Sequence, residues 1–299
     1  MTSAHNASHR NNDHTDPVRD DAAASHASRA RRRALGSAGA VALAAGACIA
    51  LAGTAMASPP TSAPAATSPH LSTTVAPGGN FNLSVWSLQL PIGSAGDPTT
   101  VSPSQLEGNS GFQDSYFYTN TSDGGMSFWD PENGVTTANS SYPRSELREM
   151  SGGQDANWFP SGTTNTLSAS VKVTQVPSHV CVGQIHLGSG GSTKPLLELF
   201  YYSSGEIEIG IEQTPAGGNE ILYKVGKVSL GTEWSYKIGL SNSTISLSIN
   251  GASAGTWQMS STFDGYGMYF KAGDYDQSAG SSSTVGAKVE FYALSVAHS

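Results

Sequence analysis

The segment Glu206-Ile207-Glu208-Ile209-Gly210-Ile211-Glu212 alternates apolar and acidic residues with a period of two. Successive side chains of an extended strand point to opposite faces, so this segment buries three isoleucines on one side and turns three carboxylates to the other. The carboxylate row reads as a solvated outer face rather than a calcium site. Runs of similar period occur at residues 166–173, 182–187, 196–202, 234–240, 244–249, 267–275 and 288–296. Asn250-Gly251, directly after Ser246-Leu247-Ser248-Ile249, marks a tight hairpin because both residues accept positive φ. Ser102-Pro103-Ser104-Gln105-Leu106 carries a serine cap and a proline in the first turn, enough for one helical turn. No long 3.6-residue pattern interrupts the strands. Antiparallel strands without crossover helices close into a sandwich or barrel, and the expectation is all-β: a β jelly roll, a two-sheet antiparallel sandwich.

The N-terminal part reads differently. Its first 33 residues are polar and end in the basic group Arg29, Arg31, Arg32 and Arg33, and residues 34–57 follow without a charge. This is the pattern of a secretion signal peptide over 1–57, with Ala55-Met56-Ala57 as its cleavage site. Arg32-Arg33 before the apolar run also resembles a twin-arginine export signal. A membrane anchor is the competing reading, but the Ala and Gly content makes the run weakly hydrophobic, so removal and no stable membrane association are expected. Cleavage removes Cys48 and leaves Cys181 without an intramolecular partner. Residues 58–79, rich in Ser, Thr, Pro and Ala, read as a flexible spacer. Residues 80–299 form one domain. Residues 1–57 hold six of the 15 Lys+Arg and four of the 23 Asp+Glu, which leaves a net of −10 for the rest. That balance excludes nucleic acid as a partner. The protein is expected to be secreted, extracellular and, by default, a monomer.

Three segments place polar residues at alternate positions of a strand. In Tyr142-Pro143-Arg144-Ser145-Glu146-Leu147-Arg148, pleating puts Arg144, Glu146 and Arg148 on one face, where the glutamate can orient both guanidiniums. Beyond residue 57 these are the only arginines, the residue type that grips carboxylates with two parallel hydrogen bonds. In Val182-Gly183-Gln184-Ile185-His186-Leu187, Gln184 and His186 share a face. In Tyr269-Phe270-Lys271-Ala272-Gly273-Asp274-Tyr275-Asp276-Gln277, residues Tyr269, Lys271, Tyr275 and Gln277 share one parity, and Phe270 and Ala272 point the other way. Each segment alone also fits a salt-bridge stripe, a structural histidine or an aromatic edge strand.

Together, Arg-Ser-Glu-Leu-Arg at 144–148, Gln-Ile-His at 184–186 and Tyr-Phe-Lys-Ala-Gly-Asp-Tyr-Asp-Gln at 269–277 resemble the three signature strands of the polysaccharide lyase family 7 alginate lyases. Trp86-Ser87-Leu88-Gln89-Leu90-Pro91 is similar to that family's first strand, and order and spacing agree over 80–299. The resemblance implies a jelly roll with a concave substrate groove and β-elimination of alginate to unsaturated oligosaccharides. It places Arg144, Gln184, His186 and Tyr275 at the four catalytic positions. Glu146, Arg148, Lys271 and Gln277 line or brace the groove, Tyr269 shares that face, and Lys194 can reach a substrate carboxylate. Asp274 and Asp276 stand where apolar and Asn residues are more usual; their parity turns them outward, away from substrate.

The reaction removes the C5 proton of a uronate and expels O4. Arg144 and Gln184 can neutralise the carboxylate as charge develops, neutral His186 can serve as base, and Tyr275 can protonate O4. In the family, Gln-Ile-His rather than Gln-Val-His accompanies activity on guluronate-containing blocks. No metal and no cofactor are expected. The net charge confines positive potential to a groove around Arg144, Arg148 and Lys271. The glycine-rich run 188–194 reads as a mobile lid. Competing readings are a lyase for glucuronan or mannuronate-rich polymer, and a noncatalytic carbohydrate-binding jelly roll. A glycoside hydrolase is disfavoured because Glu146 and Glu149 fall on opposite faces of their strand.

Overall fold

A computed structural model describes residues 70–188 and 190–299; the expected leader and the spacer through residue 69 lie outside the described residues. Each run with period two forms an antiparallel strand, and further strands fill the gaps. In chain order they are β1 Trp86–Ser94, β2 Asp97–Val101, β3 Phe117–Thr119, β4 Met126–Pro131, β5 Ser145–Ser151, β6 Gln154–Asp155, β7 Thr164–Gln175 and β8 His179–Leu187. There follow β9 Pro195–Tyr202, β10 Glu206–Ile211, β11 Ile221–Lys227, β12 Trp234–Ser241, β13 Thr244–Ile249, β14 Ala252–Gln258, β15 Met268–Asp276 and β16 Gly286–His298.

Two sheets result. One has the order β11-β10-β9-β8-β15-β5-β1-β2, with β6 on β5; the other runs β14-β13-β12-β7-β16-β4-β3. This is the jelly-roll sandwich. The core lies between the sheets, with Leu88, Leu147, Ile185, Ile209 and Phe270 meeting Phe128, Leu167, Trp234, Ile238 and Phe291. Burying each such side chain contributes about 1.5–3 kcal/mol. Cys181, on β8, is fully buried.

Local signals behave as their chemistry demands. Asn250 and Gly251 take φ of 51° and 76° and join β13 to β14. The turn Pro103–Leu106 begins with the Gln105 side-chain oxygen accepting from the Ser102 backbone N–H at 3.0 Å.

Three expectations are corrected. Residues 71–79, assigned to the spacer, pack on the sandwich: Ala76 is buried, Ala76 N–H donates to Asn109, and the Asn80 amide donates to Ser72 and Gly124. Pro77 starts a single helical turn there, which gives this short polar stretch a defined path. The carboxylate face of β10 is solvated only at Glu206, because Glu208 and the following Glu212 are buried. Asp274 and Asp276 do turn away from the groove, but they point into the space between the sheets, where both are fully buried with Asp130 of β4.

Candidate active site

Pairing between strands converts the three polar segments into one surface. Lys271 on β15 stands opposite Arg148 on β5 and Gln184 on β8, and Gln184 stands opposite Glu198 on β9. Arg148, Lys271, Gln184 and Glu198 therefore form one row across four strands. Tyr269 and His186 form a parallel row beside it. A groove of about 760 Å³ crosses these strands, lined by Arg144, Arg148, Gln184, His186, Tyr269, Lys271 and Tyr275, with Lys194 and Glu198 further along.

Glu146 sits beneath this surface and organises it. Only 1% exposed, it accepts a hydrogen bond from Gln184 Nε2 and forms ion pairs with Lys271 and, at 3.6 Å, Arg144. Its cross-strand partner is Gly273, at φ 150°, where any side chain would strike the Ser145 carbonyl and the Glu146 backbone. The glycine is what allows the two strands to approach so closely. Burial pulls Lys271 down to about 8, with Glu146 opposing. Burial also works against the Arg144 charge, but Glu146, with Tyr275, Asp130 and Glu198 adding to it, outweighs burial and raises the guanidinium's hold on its proton.

His186 Nδ1 lies 2.9 Å from the Leu187 carbonyl. A carbonyl only accepts, so Nδ1 carries the proton and Nε2 keeps a free lone pair. Burial, then the charge of Lys271, lowers His186 to about 3, so the ring is neutral at any ordinary pH. An anionic substrate beside Lys271, Arg148 and Arg144 would offset only the charge part of this lowering and leave the larger part, burial, in place. The Tyr275 ring lies 3.8 Å from the Arg144 guanidinium, and its hydroxyl is 3.1 Å from Ser140 Oγ. Burial raises the phenol, and Arg144 and Ser140 pull it back. The phenol keeps its proton at neutral pH, as an acid catalyst must.

Two expected residues are placed otherwise. Arg148 does not share Glu146; half-exposed, it swings to Asp155 at 3.3 Å, while Lys271 takes the second place on the glutamate. Gln277 lies beyond the end of β15, where its amide donates to the Tyr275 carbonyl at 3.2 Å, outside the groove. Lys194 is exposed on the rim, and the run expected as a lid is tied to the neighbouring loop by a Ser192 hydroxyl bond to the Pro215 carbonyl. Ser140, Glu198 and Glu220 also line the groove and were not anticipated. Of these, only Glu198 left a trace, as a single carboxylate within the otherwise apolar run Leu196–Tyr202. Glu149 faces away from Glu146, held by Trp158 Nε1 and the Phe270 N–H at 2.9 Å each. Among the described residues no three His, Cys, Asp or Glu side chains converge as a metal-binding group.

The profile of the alginate lyase family matches residues 81–298. The chain belongs to the family 7 alginate lyases. An alginate lyase of Klebsiella pneumoniae is 26% identical over 280 residues, 75% of this chain and 91% of that protein. Among solved structures, the family 7 alginate lyase A1-II' in complex with a product, GGG, is 36% identical over 75% of this chain and 100% of that one, with a TM-score of 0.67. An alginate lyase from Pseudomonas aeruginosa is 34% identical over 73% and 99% of the two chains, with a TM-score of 0.66. In this alginate lyase, then, one buried carboxylate fixes an arginine, a lysine and an amide beside a neutral imidazole and a protonated phenol. Such a set can grip a carboxylate, take a proton from the adjacent carbon and return one to a leaving oxygen.

Proposed function

We propose that this alginate lyase is a secreted, endo-acting enzyme that prefers guluronate-containing blocks, with Arg144, Gln184, His186 and Tyr275 performing the β-elimination. The observation that carries this reading is the pairing of a neutral His186 and a protonated Tyr275 in the groove where Arg144 and Gln184 are braced by Glu146. A proton beside an ionised carboxylate is only feebly acidic, because its removal concentrates two negative charges on one unit. Arg144 and the second N–H of Gln184 draw that charge away. His186 Nε2 takes the C5 proton, and the Tyr275 hydroxyl gives its proton to O4 as the bond breaks. The two groups act from opposite faces of the sugar, the arrangement guluronate requires. The Gln-Ile-His motif supports the guluronate preference, as does the GGG product in A1-II'. A groove crossing several strands suits the middle of a chain, and residues 1–57 supply the export signal.

The deciding experiment mixes the protein with polyguluronate, polymannuronate and glucuronan and follows ultraviolet absorbance of the unsaturated product. The expected rise is fastest on polyguluronate, with viscosity falling well before small products accumulate. A rise only on another uronan changes the substrate, and binding without any rise rejects catalysis. N-terminal sequencing of protein recovered from the medium is expected to begin at Ser58.

A further inference from the structure

The groove changes character along its length. Arg144, Arg148 and Lys271 occupy one end, and past Gln184 the row reaches Glu198. Glu198 lies one strand beyond Gln184, roughly 4.8 Å away in the pairing direction. It opens to the groove and makes no hydrogen bond or ion pair with the described residues, because the nearest cations, Arg144 and Lys271, are already held by Glu146. Across β10 its partner is Gly210, and a side chain there would collide with the Glu220 carboxylate, which therefore sits over the bare backbone beside Glu198. Glu212 lines the same groove, but its carboxylate is held by the backbone N–H groups of Gln213, Gly218 and Asn219. An ionised Glu198 in this place would repel every polyuronate that extends past the Arg144 end.

Building on the lyase reading above, we propose that Glu198 is a substrate-recognition residue that keeps its proton and donates it in a hydrogen bond to the carboxylate of the uronate next to the one held by Arg144 and Gln184. Among the charged and titratable groups around it, Glu220 and Glu146 favour the neutral form and Lys271 and Arg144 oppose it; Tyr275 and the Cys181 thiol are neighbours that keep their own protons, and Lys194 stands exposed on the rim of the same groove. Burial first and Glu220 second raise Glu198 to about 8. Below that pH the side chain is a neutral donor; above it, a carboxylate facing a carboxylate. Glu198 touches no reacting atom, so the effect falls on KM and not on kcat.

The test is steady-state kinetics on alginate from pH 6 to pH 9 for the wild type, Glu198→Gln and Glu198→Ala, each checked for an unchanged thermal melt. At pH 6 Glu198→Gln is expected within about twofold of the wild-type KM, because the amide still donates, whereas Glu198→Ala raises KM about tenfold. Between pH 7 and pH 9 the wild-type KM climbs by about tenfold more than that of Glu198→Gln. Lys271 loses charge in the same window, so the readout is this difference and not the wild-type slope. Equal KM for all three proteins at pH 6, or the same climb in Glu198→Gln as in the wild type, overturns the assignment of Glu198. A wild type that releases no unsaturated product overturns the lyase reading itself.

Discussion

On the groove face of β15, Lys271 is 2% exposed and its partner Glu146 is 1% exposed, yet both stand in ion pairs. On the opposite face of the same strand, Asp274 and Asp276 are fully buried with Asp130 and meet no cation within ion-pair distance among the described residues. The Asp276 N–H donates to Asp130 at 3.1 Å and the Ser278 N–H donates to Asp276 at 3.0 Å, while neither oxygen of Asp274 finds a hydrogen-bond partner among the described residues. Burial pushes Asp130 and Asp274 well above the usual carboxylate range, and Asp276 up to about 7. One residue of parity therefore separates charge that is kept, because it is paired and used, from charge that is suppressed by protonation. Substitutions on the first face should change turnover and the ion-pair framework; substitutions on the second should change only how stability depends on pH.

The largest effects belong to the reacting groups. Tyr275→Phe and His186→Ala should each lower kcat on alginate by about 10²–10⁴-fold while polymer binding and the thermal melt persist. Arg144→Ala should lose binding as well. A Tyr275→Phe protein with near wild-type turnover would remove the assigned acid.

Next comes the brace. Glu146→Gln leaves Arg144 and Lys271 buried side by side without their shared counter-charge, and losing one partner of a buried pair costs about 3–5 kcal/mol. Urea unfolding at pH 7 measures it, and a loss below about 1 kcal/mol would mean that the cations do not depend on Glu146.

The interior face gives a smaller effect that depends on pH. A carboxyl whose folded pKa is raised binds more protons in the folded than in the unfolded protein at pH values between the two pKa values, so stability falls as pH rises through that interval. For Asp276 the interval runs from about 4 to about 7. Asp276 alone should cost the wild type roughly 1–3 kcal/mol of unfolding free energy between pH 5 and pH 8, and the other raised carboxyls add to the same slope. Asp274→Asn, which cannot ionise, should match the wild type at pH 5 and exceed it at pH 8. Parallel curves for the two proteins would show that these acids carry charge in the folded state after all.

Period two was enough to read the sandwich, because the apolar residues of each strand alternate toward the core, even on β8, β10 and β15, whose second face is also largely buried. Parity also brought Gln184, His186, Lys271 and Tyr275 to one surface, since β8 and β15 are neighbours in regular register from Met268 to Ala272 and the irregularity between Ala272 and Tyr275 leaves Tyr275 on the groove side. Parity was less informative at Gln277, where the strand ends and the alternation has no sheet to refer to. It separated Asp274 and Asp276 from the groove but could not tell solvent from the space between two sheets, which depends on β4 and β16 covering that face. Glu198 and Glu220 became groove residues through cross-strand register and a loop folding over Gly210, and neither is encoded in local spacing. The edge strands β2, β11 and β14 escaped notice because mixed exposure blurs their alternation.

The finest test of the comparison lies at the rim, where a charge of the groove face is paired but not buried. Arg148 is 31% and Asp155 39% exposed in their side chains, so their 3.3 Å pair is screened and contributes about 0–1 kcal/mol to stability. Asp155→Asn should therefore barely move the urea midpoint. It should nevertheless release Arg148, whose charge lies in the row with Lys271 and Gln184, to attract a polyuronate. KM for alginate should fall about twofold in dilute buffer, and the gain should vanish near 1 M salt, where charges are screened beyond about 3 Å. A large loss of stability in Asp155→Asn would place this pair with the buried brace. A gain in affinity that survives salt would assign Arg148 a direct and desolvated contact with substrate.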